Sequence, residues 1–548
     1  MDFPLIRSNR GTIDASNFIA GILGDRRPHT TEKSIPGGGN WVVQKFGGTS
    51  VGKFPVKIAE DIVQAGLEPG KRIAVVCSAR TSTSKNEGTT SRLVRASLDV
   101  LDPESGKYRE IVETIRQDHV KAGQDACGVW GGATTKVLEQ YTLAVNAECK
   151  KLMKILEAAQ YLRAVTRQTE DMVISVGEKL SCLYMTALLQ SRNVQAAYVD
   201  LSDIIQFEVG KSLDEQFYLK IGVAIADRIH ALGPEVVPVI TGYFGAVPGG
   251  LLKEIGRGYT DLCAALTAVG LGAQELQIWK EVDGIFTADP RKCPTARLLD
   301  SVTPSEAAEL TFYGSEVIHP FTMDQVIKAH IPIRIKNVMN PRNKGTVVFP
   351  DPSDSHSLRR PGSSFRSRSS LNLTGFDLFN KPKRPTAVTT KRGITVLNVH
   401  SKRRTRSHGF LMSIFQILDR HHLSVDLISS SEVHVSMALH SEISMLSGNG
   451  EEELKIESAA LRGAVDDLSV WGDVDLVPGM AIISLVGRQL RTMVGVSGRF
   501  FSTLGEHGIN IEMISQGASE INISCVIEEK NADRALNVVH TNLFTFLD

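Results

Sequence analysis

The sequence predicts an α/β chain, with an open, mainly parallel sheet covered by helices and then two small α+β sandwiches. Three observations carry this expectation. Apolar runs alternate with amphipathic stretches from Trp41 onward, the composition breaks after Phe349, and one order of strands and helices occurs twice beyond the break. At 548 residues, 42% of them hydrophobic and 22% charged, the chain has ordinary globular composition and material for about two to four domains.

Residues 1–40 are polar and close on Pro36-Gly37-Gly38-Gly39, which reads as a flexible extension. Residues 41–350 form the first expected domain. Its strand-like runs are Trp41–Phe46, Ile73–Cys77, Val173–Ser175, Gln195–Val199, Val236–Ile240, Leu276–Trp279 and Ile333–Ile335. Amphipathic stretches such as Leu143–Leu162, Glu178–Leu189 and Tyr259–Val269 lie between them. Ligands of such sheets bind beyond the carboxyl ends of the strands. Residues 351–390 are rich in Ser, Pro, Arg and Lys and read as a solvated linker, or as a segment controlled by phosphorylation. Residues 391–475 and 476–548 repeat one pattern: Ile394–Val399, Gly409–Asp419, Val425–Ser430 and Val433–Leu439 are matched by Ala481–Val486, Gly495–Leu504, Ile509–Ser515 and Glu520–Ile527. Strand, helix, strand, strand and a further helix fit a ferredoxin-like sandwich, and two copies suggest paired small-molecule sensors.

Sixty-one basic and 61 acidic residues leave no net charge, hence no global field to draw nucleic acid or an anionic membrane. Neither is expected as a partner. The seven cysteines form no Cys-x-x-Cys pair, and most have apolar neighbours, which predicts buried thiols in a reducing compartment without disulfides or a zinc site. No apolar run reaches the roughly 20 residues of a membrane span. Asp2 and Asp14 near the start argue against a secretory signal, so a cytoplasmic location is expected.

Four segments carry the chemistry. Lys45-Phe46-Gly47-Gly48-Thr49-Ser50 follows a strand, where glycines bring backbone N–H groups against phosphate oxygens and a lysine can neutralise a phosphoryl group in transit. Thr49 and Ser50 are candidate caps for the next helix. Gly47 to Lys53 nearly spells a Walker A loop, but Phe54 stands where a hydroxyl should hold magnesium, so that reading is rejected. Gly256-Arg257-Gly258-Tyr259-Thr260-Asp261 offers a guanidinium fork for a carboxylate, with Asp261 either functional or only a favourable helix-start charge. Ser175-Val176-Gly177-Glu178 reads as a strand entering a helix, with Glu178 a receptor for an ammonium group or a structural helix-start charge. Val282-Asp283-Gly284-Ile285-Phe286-Thr287-Ala288-Asp289-Pro290-Arg291 is a turn-rich loop able to fold around a nucleotide.

In order and spacing these segments, with Glu306–Pro320, resemble the amino-acid-kinase domain of aspartate kinases. His408-Gly409-Phe410-Leu411 and Val425 to Val433 resemble the effector segment of that family's ACT domains, and Tyr259-Thr260-Asp261 looks like its fungal branch. The resemblance implies ATP with Mg²⁺, L-aspartate as phosphoryl acceptor, and homo-oligomers joined through the ACT units. It also implies feedback by an amino acid, threonine before lysine. Lys45 would touch the transferring phosphoryl group, with Phe46, Gly47 and Gly48 on the ATP side and Lys280, Phe286, Asp289 and Arg291 facing the nucleotide. Glu178 would bind the α-ammonium of aspartate and Arg257 its α-carboxylate. Asp261 would organise the site with Thr49, Ser78, Thr90 and Thr260. The effector would lie among Gly409, Phe410, Leu411, Val425 and Asp426, the last holding its ammonium or only capping a turn. Glu316 departs from the family's pattern, which has a lysine there.

A carboxylate acceptor is ionised at neutral pH and needs no general base; the task is to bring two anions together. The alternatives are another amino-acid kinase, such as one acting on glutamate, and a catalytically dead amino-acid sensor. The presence of Lys45, Glu178, Arg257 and Asp261 argues against the sensor. A fused homoserine dehydrogenase is not expected.

Overall fold

The structure, a computed structural model, describes residues 40–81, 87–128, 131–210, 213–251, 255, 258–312, 320–349, 384–402, 409–431, 433–440, 446–447, 455–456, 458–488, 490, 493–516 and 521–545. Arg257, Glu316 and His408 lie outside them, as does most of the expected linker.

Eight strands form the first sheet: β1 (Asn40–Phe46), β2 (Lys71–Cys77), β3 (Ala196–Val199), β4 (Val237–Thr241), β5 (Glu275–Lys280), β6 (Ser301–Val302), β7 (Ile333–Asn337) and β8 (Thr346–Val348). Their order is β3-β4-β2-β1-β5-β7-β8-β6. All neighbours are parallel except β7 and β8. The central strands are buried on both faces, as helix-covered parallel strands must be; Val42, Val43 and Phe46 of β1 are all in the core. One apolar cluster fills the side of Val43, Ala74 and the helices Glu215–His230 and Tyr259–Gly270, and another fills the side of Phe46, Val75 and the helix Arg167–Ser191.

That last helix corrects two expectations. Val173–Ser175 is not a strand, and Glu178 sits in mid-helix rather than at a helix start. The β-branched run imitates a buried strand, but the Thr166 side chain caps the helix at Thr169 N and the helix is sunk in the domain. It is long and apolar enough to cross a bilayer, yet 83% of its most apolar stretch is buried inside the fold.

The second sheet is antiparallel, in the order β10-β11-β9-β14-β16-β15. Its strands are β9 (Ala387–Ser401), β10 (Val425–Ser430), β11 (His434–His440), β14 (Gly472–Val486), β15 (Met513–Ser515) and β16 (Asn522–Glu528), with a separate pair, β12 (Leu446–Ser447) and β13 (Lys455–Ile456). Each half of the sheet carries its own pair of helices, Phe410–Arg420 with Ala459–Leu468 and Val496–Glu506 with Ala532–His540. Both 15-residue strands serve both halves. Ile394 to His400 of β9 pairs with β11, while Ala387 to Lys391 pairs with Val486 to Ile482 of β14. Residues 387–390, read as the end of the linker, are therefore strand: Ala387 and Val388 are buried. Of Ile509–Ser515 only Met513–Ser515 is strand.

The two sheets meet through specific bonds. Val388 N donates to Thr287 O at 2.8 Å, and Glu306 Oε1 accepts from Thr386 Oγ1 at 2.6 Å and Arg488 N at 2.9 Å. His540 is fully buried, with its ring nitrogens 2.8 Å from Thr287 Oγ1 and 3.1 Å from Thr295 Oγ1. The loop between β5 and β6 is thus held by the last helix of the second sheet.

Candidate active site

Lys45 lies near the carboxyl end of β1, flanked in register by Val76 of β2 and Ile278 of β5. Its Nζ is 2.7 Å from Oδ1 of Asp261, which the helix Tyr259–Gly270 carries in its first turn. One residue earlier on that helix, Thr260 Oγ1 donates to Glu178 Oε1 at 2.5 Å. Glu178 Oε2 is buried with no hydrogen-bond partner among the described residues. Burial pushes this carboxyl up to about 7, against the opposing pull of the Thr260 and Tyr259 hydroxyls and Lys45. Three sequence segments far apart in the chain therefore form one cluster: a cation, its carboxylate partner, and a second carboxylate with an unmet oxygen.

Close packing fixes the cluster. A Cβ on Gly242, just past β4, would lie 2.5 Å from Thr260 Cγ2 and 2.9 Å from Glu178 Oε1. Only a hydrogen fits, and sequence reading missed this residue. At Gly48 a Cβ would meet Ala79 O at 2.0 Å. Thr81 N donates to Gly48 O at 2.9 Å and Ser78 N to Phe46 O at 3.1 Å, so the Ser78–Thr81 segment lies along the glycine turn. The helix after that turn, Gly48–Lys53, is not capped by Thr49 or Ser50; Gly47 is its N-cap, without a side-chain bond. Ser50 Oγ instead donates to Glu281 Oε1 at 2.7 Å.

A cavity of about 890 Å³ opens beside Lys45, in the size range of small-molecule sites. Gly47, Gly48, Thr49, Lys280, Phe286, Asp289 and Arg291 line it. The structure thus gathers most of the expected nucleotide residues around one space. Arg291 is held over Asp289, Nη2 to Oδ2 3.0 Å, and is largely exposed. Phe46 differs: its ring is buried and stacked on Trp279 with centroids 6.0 Å apart, leaving only its backbone for the turn. Thr90 is exposed, whereas the neighbouring Thr89 is buried and donates to Arg80 O at 2.8 Å. Val388, Thr389, Thr390 and Leu536, from the second sheet and its last helix, also line the cavity; no local sequence signal marks them.

In the second sheet Gly409 takes φ +87° as N-cap of the helix Phe410–Arg420, with Phe410 buried and Leu411 exposed. Val425 and Asp426 open β10. The Asp426 carboxylate is already paired, its Oδ2 2.6 Å from Lys391 Nζ.

A model of the amino acid kinase family matches residues 40–337, and an ACT domain model matches residues 483–543. The aspartokinase of Schizosaccharomyces pombe is 52% identical over 504 residues, covering 92% of both chains. The aspartokinase of Saccharomyces cerevisiae is 51% identical over 514 residues, covering 92% of this chain and 93% of that protein. Among solved structures, E. coli aspartokinase III in complex with aspartate and ADP aligns over 92% of this chain and 99% of its own, with 27% identity and a TM-score of 0.63. The same enzyme with lysine and aspartate aligns with a TM-score of 0.68 at 27% identity, over 92% of this chain and 100% of its own. A parallel sheet with a lysine–aspartate pair at its carboxyl edge, an antiparallel ACT-type sheet, and relatives alike over nearly their whole length agree: the chain belongs to the aspartokinase family and is an enzyme of that kind, a phosphotransferase with a carboxyl group as its acceptor.

Proposed function

We propose that the chain transfers the γ-phosphoryl group of ATP, taken with Mg²⁺, to the side-chain carboxylate of L-aspartate, giving 4-phospho-L-aspartate and ADP. The Lys45–Asp261 pair, with Lys45 on the cavity wall and a buried carboxylate with one oxygen unmet joined to the same helix through Thr260, carries the proposal. Glu178 Oε2 is suited to the α-ammonium of aspartate, and Arg257 to its α-carboxylate. One aspartate side-chain oxygen attacks the γ-phosphorus as the bond to the β–γ bridging oxygen breaks. ADP leaves with the bond's electrons, and no proton need move. Lys45 offsets charge on the phosphoryl oxygens in flight, and Asp261 holds the lysine in place. The turn at Gly47 and Gly48 offers backbone N–H groups to the phosphates, while Lys280, Phe286, Asp289 and Arg291 border the rest of the nucleotide.

Among the described residues no group of three or more His, Cys, Asp or Glu side chains is arranged for a metal. Mg²⁺ would be held chiefly by the nucleotide's own phosphates, as it commonly is. When bound it would neutralise phosphate charge.

The proposal extends to regulation: the enzyme opens the route to threonine and methionine, and in some organisms lysine, and threonine inhibits it through the ACT units of a cytoplasmic homo-oligomer. The ACT match, a relative solved with lysine, and the fungal-type Tyr259-Thr260-Asp261 support this. Leu411, Met412 and Phe415 expose apolar side chains on the helix Phe410–Arg420, which suits association.

Coupled ADP-release assays on aspartate and glutamate, with and without threonine or lysine, test all of it. Aspartate-dependent turnover inhibited by threonine is expected. Turnover on glutamate alone would overturn the acceptor, and indifference to threonine the effector.

A further inference from the structure

The loop between β5 and β6 faces two ways. Phe286, Ala288, Asp289 and Arg291 line the cavity, while Thr287 among them is buried. The loop folds back on itself, Thr287 N donating to Arg297 O and Arg297 N to Thr287 Oγ1, both at 2.9 Å. Further support comes from the helices of the second sheet. Ala288 and Cys293 belong to the apolar cluster of Phe500, Leu536 and Phe544. Asn537 Nδ2 donates to Lys292 O at 2.8 Å, and Arg297 Nη2 to Phe544 O at 2.5 Å.

His540 joins these bonds. Its ring stacks on Phe544 with centroids 5.0 Å apart, and its nitrogens reach Thr287 Oγ1 and Thr295 Oγ1. The Thr287 hydroxyl already accepts from Arg297 N, so its own hydrogen goes to Nε2, and Nδ1–H donates to Thr295. Only a neutral ring can do both. Burial and the Arg297 guanidinium lower its pKa and keep it neutral at pH 7.

A turn-rich loop held in this way is ordered before a ligand arrives; released, it must be ordered by the ligand, which then binds less tightly. We propose that His540 is a positioning residue for the nucleotide: by gripping the Thr287 and Thr295 hydroxyls, the helix Ala532–His540 presets the cavity-lining stretch that borders ATP. This rests on the ATP reading above and adds to it a residue behind the cavity wall rather than on it.

Steady-state kinetics of the full chain test it, for wild type, His540→Phe, Thr287→Val and the two combined. His540→Phe keeps a flat ring against Phe544 and removes both hydrogen bonds. It is expected to raise the KM for ATP by about tenfold and to leave the KM for aspartate within about twofold. The double variant is expected to be no worse than His540→Phe alone, because the two residues act through one bond. An unchanged KM for ATP, an equal rise in both constants, or two effects that simply add overturns the proposal. Absence of ATP-dependent turnover in wild type removes the nucleotide reading itself, and this proposal with it. Should His540→Phe fail to fold, hydrogen exchange of the wild-type chain replaces it. Binding is reciprocal, so MgADP is expected to slow exchange at residues 538–545 by about tenfold, although none of them lines the cavity. Unchanged exchange there overturns the proposal.

Discussion

Glu178 and Asp426 both have buried carboxylates, one on a helix packed against the first sheet and one on a strand of the second. Glu178 bonds Thr260 through one oxygen and leaves the other without a partner among the described residues. Asp426 has a lysine ammonium 2.6 Å away. The two differ in where the compensating charge comes from. A buried carboxylate kept incompletely paired costs stability, whereas one paired by the chain's own cation keeps its charge compensated in place. Lys45 and Asp261 are the intermediate case, a pair formed by the chain but partly open, with exposures of 12% and 19% and Lys45 lining the cavity.

The largest expected effect falls on that intermediate pair. Lys45→Ala is expected to lower turnover by about 10³-fold, with a smaller change in the KM for ATP, since the lysine acts on charge that peaks in the transition state. Steady-state kinetics with ATP and aspartate varied independently check this, and near-normal turnover refutes it. Next, Glu178→Gln should raise the KM for aspartate by about 10- to 100-fold and spare ATP, the usual worth of a hydrogen bond to a charged group. Arg257→Ala should do the same from the other end of the substrate. An effect of either on ATP alone would reverse the assignment.

Stability sharpens the comparison. Above pH 7 Glu178→Gln should stabilise the unliganded protein by about 3 kcal/mol at most, because it removes an ionised group that burial disfavours. Asp426→Asn should destabilise it by about 3 kcal/mol, since Lys391 then stays buried without its partner. Denaturant unfolding at pH 8 measures both, and shifts of the same sign would erase the distinction. The smallest effect is on pH dependence. With its folded value raised from 4.5 to about 7, Glu178 retains a proton that the unfolded chain has released between those values. Its contribution to stability is full below 4.5 and is lost as pH rises through 7. Aspartate selects the ionised form, so below pH 7 its binding should release a proton and weaken by up to about tenfold per pH unit. Calorimetry in buffers of different ionisation enthalpy detects that proton.

The parallel sheet is legible because strands buried on both faces leave nearly uninterrupted apolar runs, as at Ile73–Cys77 and, around Pro238, Val236–Ile240. The same rule misplaced Val173–Ser175, where a helix buried almost all round shows the same short run. Lys45 and Asp261 stand out in the sequence beside glycine turns; Glu178 stands out beside Gly177, which the structure places in mid-helix. The Thr260–Glu178 bond, the Gly242 contact and the Ser50–Glu281 bond join segments distant in sequence and leave no local trace. The start of β9 was hidden by the Ser- and Arg-rich stretch before it, and Lys391 looked like one more basic residue at its end.

The sharing of β9 and β14 between the two ACT-type halves bears on how the chain is made. Ala387–Lys391 leaves the ribosome well before its partner on β14, with the whole first half emerging between them. The second half cannot close its sheet until the first has been laid into it, so assembly of the regulatory region runs inward to outward rather than from N- to C-terminus. A fragment beginning at residue 476 would present the Ile482 to Val486 stretch as a bare, apolar strand edge, an invitation to pair with another chain. Fragments for biophysical work are therefore best begun before Thr386.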